Sequence, residues 1–159
     1  EIYTLSLHDA LPIFGRKPGN LGAVLRTADA AAVDGVIICD PQTDLYNPNV
    51  IRSGVGGLFT VQTAVCSSQE AYIWLQAHGI RSYAAELQAS VYYGDIDFST
   101  PSAIVMGTEA DGLTDFWLTH ADARIKIPML GMIDSLNVSV STAVITFEAV
   151  RQRRGKIRN

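Results

Sequence analysis

A chain of 159 residues that is 48% hydrophobic and 18% charged can bury one core and is too apolar to remain disordered. Its longest apolar runs fall far short of a bilayer crossing, which excludes a helical membrane protein, and a net charge of −4 by itself argues mildly against nucleic-acid binding, although its distribution matters more. Cys39 and Cys66 lack metal-type spacing and read as reduced thiols of a cytosolic protein, and His8, His78 and His120 are scattered, so no metal site is expected.

Residues 1–14, EIYTLSLHDALPIF, differ in character from the rest of the chain. They resemble translated sequencing-adapter read-through and lack the basic region, apolar run and small-residue cleavage site of a signal peptide. The expectation is a non-native segment, with a natural first strand lost and residues 11–14 standing in for it. From Gly15 the pattern becomes regular. Arg16 to Asn20 form a turn that ends in Asn20, a good helix N-cap. Leu21, Val24, Leu25, Ala28 and Ala32 recur at helical spacing and predict a helix over 20–32, stopped by Asp34-Gly35. Residues 36–39 are an unbroken apolar strand of the kind buried on both faces. Residues 40–49 are loop, and 50–57 make one helical turn weakened by three glycines.

Further strands at 61–65, 81–85, 103–106 and 123–127 alternate with helices at 69–78, closed by Gly79, and 114–120; residues 92–98 fit neither pattern. Strands alternating with helices predict an α/β fold, a parallel sheet with helices on both faces. The last segment, residues 127–148, reads IPMLGMIDSLNVSVSTAVITFE: a Pro/Gly-punctuated loop that enters a long helix. At 100° per residue Leu136, Val140, Ala143, Phe147 and Val150 form one apolar stripe, and Val138, Ile145 and Ala149 a second on nearly the opposite side. Ser139, Thr142 and Thr146 form a polar seam between them. Two stripes imply burial on both sides, and the second neighbour expected is another copy of the chain. Five of the twelve basic residues follow in the last nine positions: Arg151, Arg153, Arg154, Lys156 and Arg158. They read either as a solvated, frayed helix end that complements the dipole or as an RNA-contacting arm.

In a parallel α/β sheet, ligands bind where loops leave the C-terminal ends of strands. Two glycine-bearing turns occupy such places, Gly107 to Gly112 and Pro128 to Asn137. In the second, Gly131, Ser135 and Asn137 precede a helix start, where unpaired backbone N–H groups suit a polar ligand. The first matches neither the dinucleotide fingerprint nor the phosphate loop, and alone it reads equally as turn punctuation. A third stretch, Asn20-Leu21-Gly22-Ala23-Val24-Leu25-Arg26, sets the only long charged side chain of an Ala-rich helix one turn after a glycine. That glycine costs about 1 kcal/mol relative to alanine, which favours a packing or substrate reason for it. The alternative for Arg26 is a surface residue beside Asp29.

NLGAVLR, MGTEADGL and IPMLGMIDSLNVSVSTAVITFE, in this order and spacing, resemble the three signature motifs of the SpoU/TrmH family of RNA 2′-O-ribose methyltransferases. The match runs from about Lys17 to Arg153. The resemblance implies a SPOUT fold whose C-terminal segment threads a deep trefoil knot around S-adenosylmethionine. Residues 15–154 would be the catalytic domain and 155–159 a basic tail. By the same resemblance Asn20, Arg26, Glu109, Ser135 and Asn137 match catalytic or site-shaping positions. Gly107, Ile127, Met129 and Leu136 match positions that hold the cofactor, and Arg26 and Arg52 match positions near RNA. The family dimerises through its C-terminal helix, in line with the two stripes.

Methyl transfer from a sulfonium to a ribose hydroxyl needs alignment and removal of a proton, with no metal. The resemblance assigns the proton to Arg26. A guanidinium is ordinarily protonated, so fixing a phosphate and stabilising the forming alkoxide is the other role open to it. Glu109 is expected to orient a side chain or the turn. Between residues 18 and 150 the only cations are Arg26, Arg52, Arg81, Arg124 and Lys126, few for gripping a structured RNA. Many relatives that act on ribosomal RNA place an RNA-binding domain ahead of the catalytic one, so ribosomal RNA is the expected substrate and the cytoplasm the expected location. Transfer RNA, or a catalytically silent dimeric RNA-binding module, are the alternatives.

Overall fold

The computed structural model describes residues 2–7, 18–40, 60–89, 91–108 and 111–157, with the single positions 48 and 52. In chain order these residues form β1 (Ile2–Leu7), α1 (Pro18–Ala30), β2 (Gly35–Cys39), β3 (Thr63–Cys66), α2 (Ser68–Ala77), β4 (Arg81–Ala85), β5 (Val91–Tyr92), a 3-10 turn (Tyr93–Asp95), β6 (Ser102–Met106), α3 (Asp115–His120), β7 (Ala123–Lys126) and α4 (Val138–Ile157). The seven strands make one sheet in the order β3-β2-β1-β6-β4-β7-β5. Pairings β2/β3, β4/β6, β4/β7 and β5/β7 are parallel.

The exception is β1, which sits mid-sheet and pairs antiparallel with both β2 and β6. Ile-Tyr-Thr-Leu-Ser-Leu has the β-branched and aromatic content and the alternation that suit a strand, so it satisfies two edges that would otherwise lack ladder partners. Residues 11–14, expected to stand in for a first strand, lie outside the described residues, as do nearly all of 40–57.

All five residues of β6 are buried. Because successive side chains point to opposite faces, both faces of the sheet must be covered. One cover is α1 packed on α4, the other α2 packed on α3. Leu21, Val24, Leu25 and Ala28 of α1 are buried with Val138, Ile145 and Ala149 of α4; Ala71 and Leu75 of α2 are buried with Trp117 of α3. The Trp117 indole N–H donates to Ser68 Oγ at 3.1 Å, and Ser68 Oγ donates to Asp40 Oδ2 at 2.8 Å, which satisfies the polar edge of that core.

Two expectations change. Asn20 is not an N-cap: α1 begins at Pro18, whose fixed φ suits a first helical position, and Asn20 lies inside the first turn. The polar seam of α4 is not polar in effect. Thr142 and Thr146 are fully buried, and their hydroxyls donate to Val138 O at 2.7 Å and Thr142 O at 2.6 Å, one turn back. With those hydroxyls satisfied, the face carrying Val138, Thr142, Ile145, Thr146 and Ala149 is the one against the core. Val140 and Phe147, from the other stripe, are each 47% exposed.

Candidate active site

Strands β4, β6 and β7 lie side by side and parallel, so their C-terminal ends open at one place. A cavity of about 690 Å³ lies there, within the range of roughly 300–1,000 Å³ common for small-molecule sites. Its wall is made of the residues that end those strands and the loops beyond them. Ala85 and Glu86 stand at the end of β4, Met106, Gly107 and Thr108 at the end of β6, and Lys126, Ile127 and Met129 at the end of β7. Ser135, Leu136, Asn137, Val138 and Ser141, at the start of α4, close one side.

The turn after β6 is held by its own backbone. Thr108 N–H donates to Gly112 O at 3.1 Å, Gly112 N–H donates back to Thr108 O at 3.0 Å, and Asp111 N–H donates to Thr108 Oγ1 at 2.8 Å. Gly112 has φ +66°, a left-handed conformation suited to glycine, and a Cβ on Gly107 would collide with the backbone of Gly112 and Leu113. Neither glycine is mere punctuation. Gly107 lets the strand end lie flush against the returning turn, which makes it part of the cavity wall.

Asn137 caps α4. Its Oδ1 accepts from Ser139 N–H at 2.9 Å and from Ser139 Oγ at 2.6 Å, and its carbonyl accepts from Ser141 N–H at 2.9 Å. With the oxygen so engaged, the amide nitrogen points away from the helix and donates to Asn20 Oδ1 at 3.3 Å. The bond spans 117 residues of sequence and ties the first turn of α1 to the first turn of α4. Asn20 Nδ2 is buried and has no hydrogen-bond partner among the described residues.

Six of the expected residues therefore meet at the cavity: Gly107, Ile127, Met129, Ser135, Leu136 and Asn137. Asn20 joins them through Asn137. Arg26 lies further along α1 with its side chain exposed, and does not line the cavity. Arg52 is exposed and also outside that wall. Glu109 lies outside the described residues.

Glu86 was not among the residues expected from sequence. Its Oε2 is buried, forms a salt bridge at 3.4 Å with Nη1 of the mostly exposed Arg124, and has no hydrogen-bond partner among the described residues. The signal was present: an acidic residue directly follows a strand, at the place after β4 that Gly107 occupies after β6. No cluster of three or more His, Cys, Asp or Glu able to hold a metal occurs among the described residues. No described helix is long and apolar enough to cross a membrane.

The SpoU rRNA Methylase family matches residues 15–147. The chain is 42% identical over 143 residues to the 23S rRNA (guanosine-2′-O-)-methyltransferase RlmB of Xanthomonas axonopodis pv. citri, an overlap of 88% of this chain and 57% of the relative. It is 39% identical to the tRNA (guanosine(18)-2′-O)-methyltransferase of Thermus thermophilus, over 86% of this chain and 71% of that one. The crystal structure of the SpoU methyltransferase AviRb from Streptomyces viridochromogenes in complex with AdoMet superposes with a TM-score of 0.84 at 33% identity, covering 89% of this chain and 58% of that one. The chain spans about half the length of the curated 23S rRNA relatives it matches. With the family match running over residues 15–147, the chain belongs to the SpoU rRNA Methylase family.

Proposed function

We propose that residues 15–154 form the catalytic domain of an S-adenosylmethionine-dependent RNA 2′-O-ribose methyltransferase that acts on ribosomal RNA in the cytoplasm as a homodimer. The observation that carries this reading is the junction at Asn137. One residue lines the cavity at the strand ends and is hydrogen-bonded to the helix that carries Arg26.

The residues present fit the cofactor. The cavity combines apolar walls (Leu113, Ile125, Leu136, Val138) with a buried carboxylate oxygen on Glu86 that accepts no hydrogen bond among the described residues, a mixture suited to an adenosine with polar substituents. Gly107, Ile127, Met129 and Leu136 would hold it. When bound, S-adenosylmethionine supplies a methyl group on a sulfonium, an electrophile that needs no metal. Ser135 and Asn137 set the start of α4 at the cavity wall, and Asn20 braces Asn137 from α1. Arg26 presents its guanidinium to solvent from the same helix, where it would take a phosphate of the incoming RNA and stabilise the ribose oxygen as its proton passes to solvent water and the methyl leaves the sulfonium as a neutral thioether forms. Glu109, between Thr108 and Asp111 in sequence, is assigned the orientation of that turn. Arg52 adds a second phosphate contact.

Support for ribosomal RNA comes from the relatives that name 23S rRNA and from the few cations between residues 18 and 150, which favour a grip on RNA from outside that stretch. The dimer is supported by apolar side chains left outside: Val140 and Phe147 on α4, and Leu130, Met132 and Ile133 at 97%, 102% and 60% exposure in the loop before it. The trefoil knot belongs to this reading as the path by which residues 127–157 would pass around the cofactor.

Calorimetry with S-adenosylhomocysteine, followed by methyl-transfer assays on 23S rRNA fragments and on tRNA transcripts, tests the proposal. Binding with 2′-O-methylation of the ribosomal fragments is the expected result. Transfer to tRNA alone would move the substrate, and binding without transfer to either RNA would favour a silent RNA-binding module. Arg26→Ala should abolish transfer while S-adenosylhomocysteine affinity stays within about twofold, since Arg26 does not line the cavity. Normal turnover by that variant would remove Arg26 from the mechanism.

A further inference from the structure

We infer that Glu86 anchors the cofactor through the ribose hydroxyls of its adenosine, a residue-level assignment that rests on the cavity being the S-adenosylmethionine site. Glu86 comes directly after β4, the strand between β6 and β7, and its backbone N–H donates to Ile125 O at 2.9 Å. The main chain is thus fixed by the sheet, and the side chain, 20% exposed, belongs to the cavity wall. Oε2 is buried and accepts no hydrogen bond among the described residues. Oε2 forms a salt bridge with Arg124 Nη1 at 3.4 Å that lacks hydrogen-bond geometry, and the Arg124 side chain is 54% exposed.

A half-exposed arginine offsets part of the cost of burying this carboxylate oxygen, but a buried oxygen that accepts no hydrogen bond still calls for an explanation. A ligand that brings donors into the cavity removes the cost. S-adenosylmethionine carries three kinds of donor: an ammonium, the adenine amine and the ribose diol. The ammonium would place a further cation beside Arg124 and in a cavity already lined by Lys126, where like charges repel. The adenine amine sits on a flat base suited to the apolar wall formed by Leu113, Leu118 and Ile125. The diol is neutral and offers two adjacent O–H donors to the two oxygens of one carboxylate. Carboxylates at strand ends in nucleotide-binding α/β folds meet ribose hydroxyls in the same way.

Three ligands separate the possibilities: S-adenosylhomocysteine, 5′-methylthioadenosine (which lacks the amino-acid part) and 2′,3′-dideoxy-5′-methylthioadenosine. Calorimetry on this chain and on Glu86→Gln, with matching thermal unfolding as the control, should show S-adenosylhomocysteine and 5′-methylthioadenosine both weakened by about tenfold or more, since the lost bonds are charge-assisted. The dideoxy ligand should bind both proteins equally. Unchanged affinity in Glu86→Gln, a loss confined to S-adenosylhomocysteine, or a loss that persists with the dideoxy ligand would each overturn the assignment. Should Glu86→Gln not fold, the unmodified chain decides: it must prefer 5′-methylthioadenosine over the dideoxy compound by a similar factor, and equal binding overturns the assignment. Failure of the unmodified chain to bind any of the three would instead remove the cofactor site itself, and Glu86's role with it.

Discussion

At the scale of single residues, Asn137 does two jobs that separate cleanly. Its oxygen caps α4 and its nitrogen reaches Asn20, so Asn137→Ala removes a helix cap worth about 1 kcal/mol together with the brace between two motifs. Asn20→Ala removes only a 3.3 Å bond and also deletes a buried donor that has no hydrogen-bond partner among the described residues. Urea unfolding should therefore show Asn137→Ala destabilised by about 1–2 kcal/mol and Asn20→Ala close to neutral. Equal losses would mean that the brace, not the cap, carries the stability. Asn20 also shows why local reading fails at single residues. Asparagine before an apolar-periodic run is a sound cap signal, but Pro18 can open a helix two residues earlier, and nothing local reveals that Asn20 has a partner 117 positions away.

At the scale of elements, α4 is decided by its back and its end. The helix runs on to Ile157, and two of its late side chains, Gln152 and Arg153, are bonded rather than solvated. Arg153 Nε donates to Phe98 O at 2.8 Å and Arg153 Nη2 to Thr100 O at 2.9 Å, while Gln152 accepts from Phe98 N–H at 2.8 Å and donates to Ile96 O at 2.9 Å. Two side chains thus sew the helix to the segment before β6. Arg151 pairs instead with Glu148 at 2.8 Å. Arg153→Ala should lower stability by about 1–2 kcal/mol, read by urea unfolding, with little change in RNA affinity. Arg154→Ala, from an exposed position, should leave stability alone and reduce the salt dependence of RNA binding. The reverse pattern would restore the picture of an RNA-contacting Arg153.

Helix α2 gives a pH prediction. Ser67 Oγ accepts from Glu70 N–H at 3.2 Å and the Glu70 carboxylate accepts from Ser67 N–H at 2.8 Å, a reciprocal capping box. These bonds, the backbone one foremost, hold the Glu70 carboxyl below its ordinary value of 4.5. The folded state therefore binds this proton more weakly than the unfolded chain. The contribution is complete above about pH 4.5 and is lost as pH falls through the lowered value. Stability measured by urea unfolding from pH 7 down to pH 3 should fall less steeply in Glu70→Gln than in the parent chain, and parallel curves would exclude the box as a source of acid sensitivity.

At the scale of the whole molecule, the question is what covers the outer apolar surface. The exposed side of α4 and the loop that carries Leu130, Met132 and Ile133 are consistent with a partner that is a second copy, the arrangement proposed above. Light scattering should give twice the chain mass, and Phe147→Asp should shift the population to monomer because an unpaired charge would be buried in the interface. An unshifted mass would send the interface elsewhere on the surface.

Local and long-range order divide along a physical line. Strand and helix placement depends mostly on neighbours within a few residues, so β4 appears at 81–85 as predicted, Gly79 closes α2 with φ +65°, and the parallel α/β arrangement comes from alternation alone. The three motifs, too, were legible as contiguous words. What no contiguous word contains is a contact between distant segments. The union of Asn20 with Asn137, the burial of Thr142 and Thr146, the use of Arg153 as a backbone donor and the buried oxygen of Glu86 each arise when segments far apart in sequence share one desolvated space. Hydrogen-bond satisfaction and burial are properties of that space. The sequence by itself therefore determined the family and the order of the fold, and the tertiary structure alone decided which polar atoms are buried and which of them find a hydrogen-bond partner among the described residues.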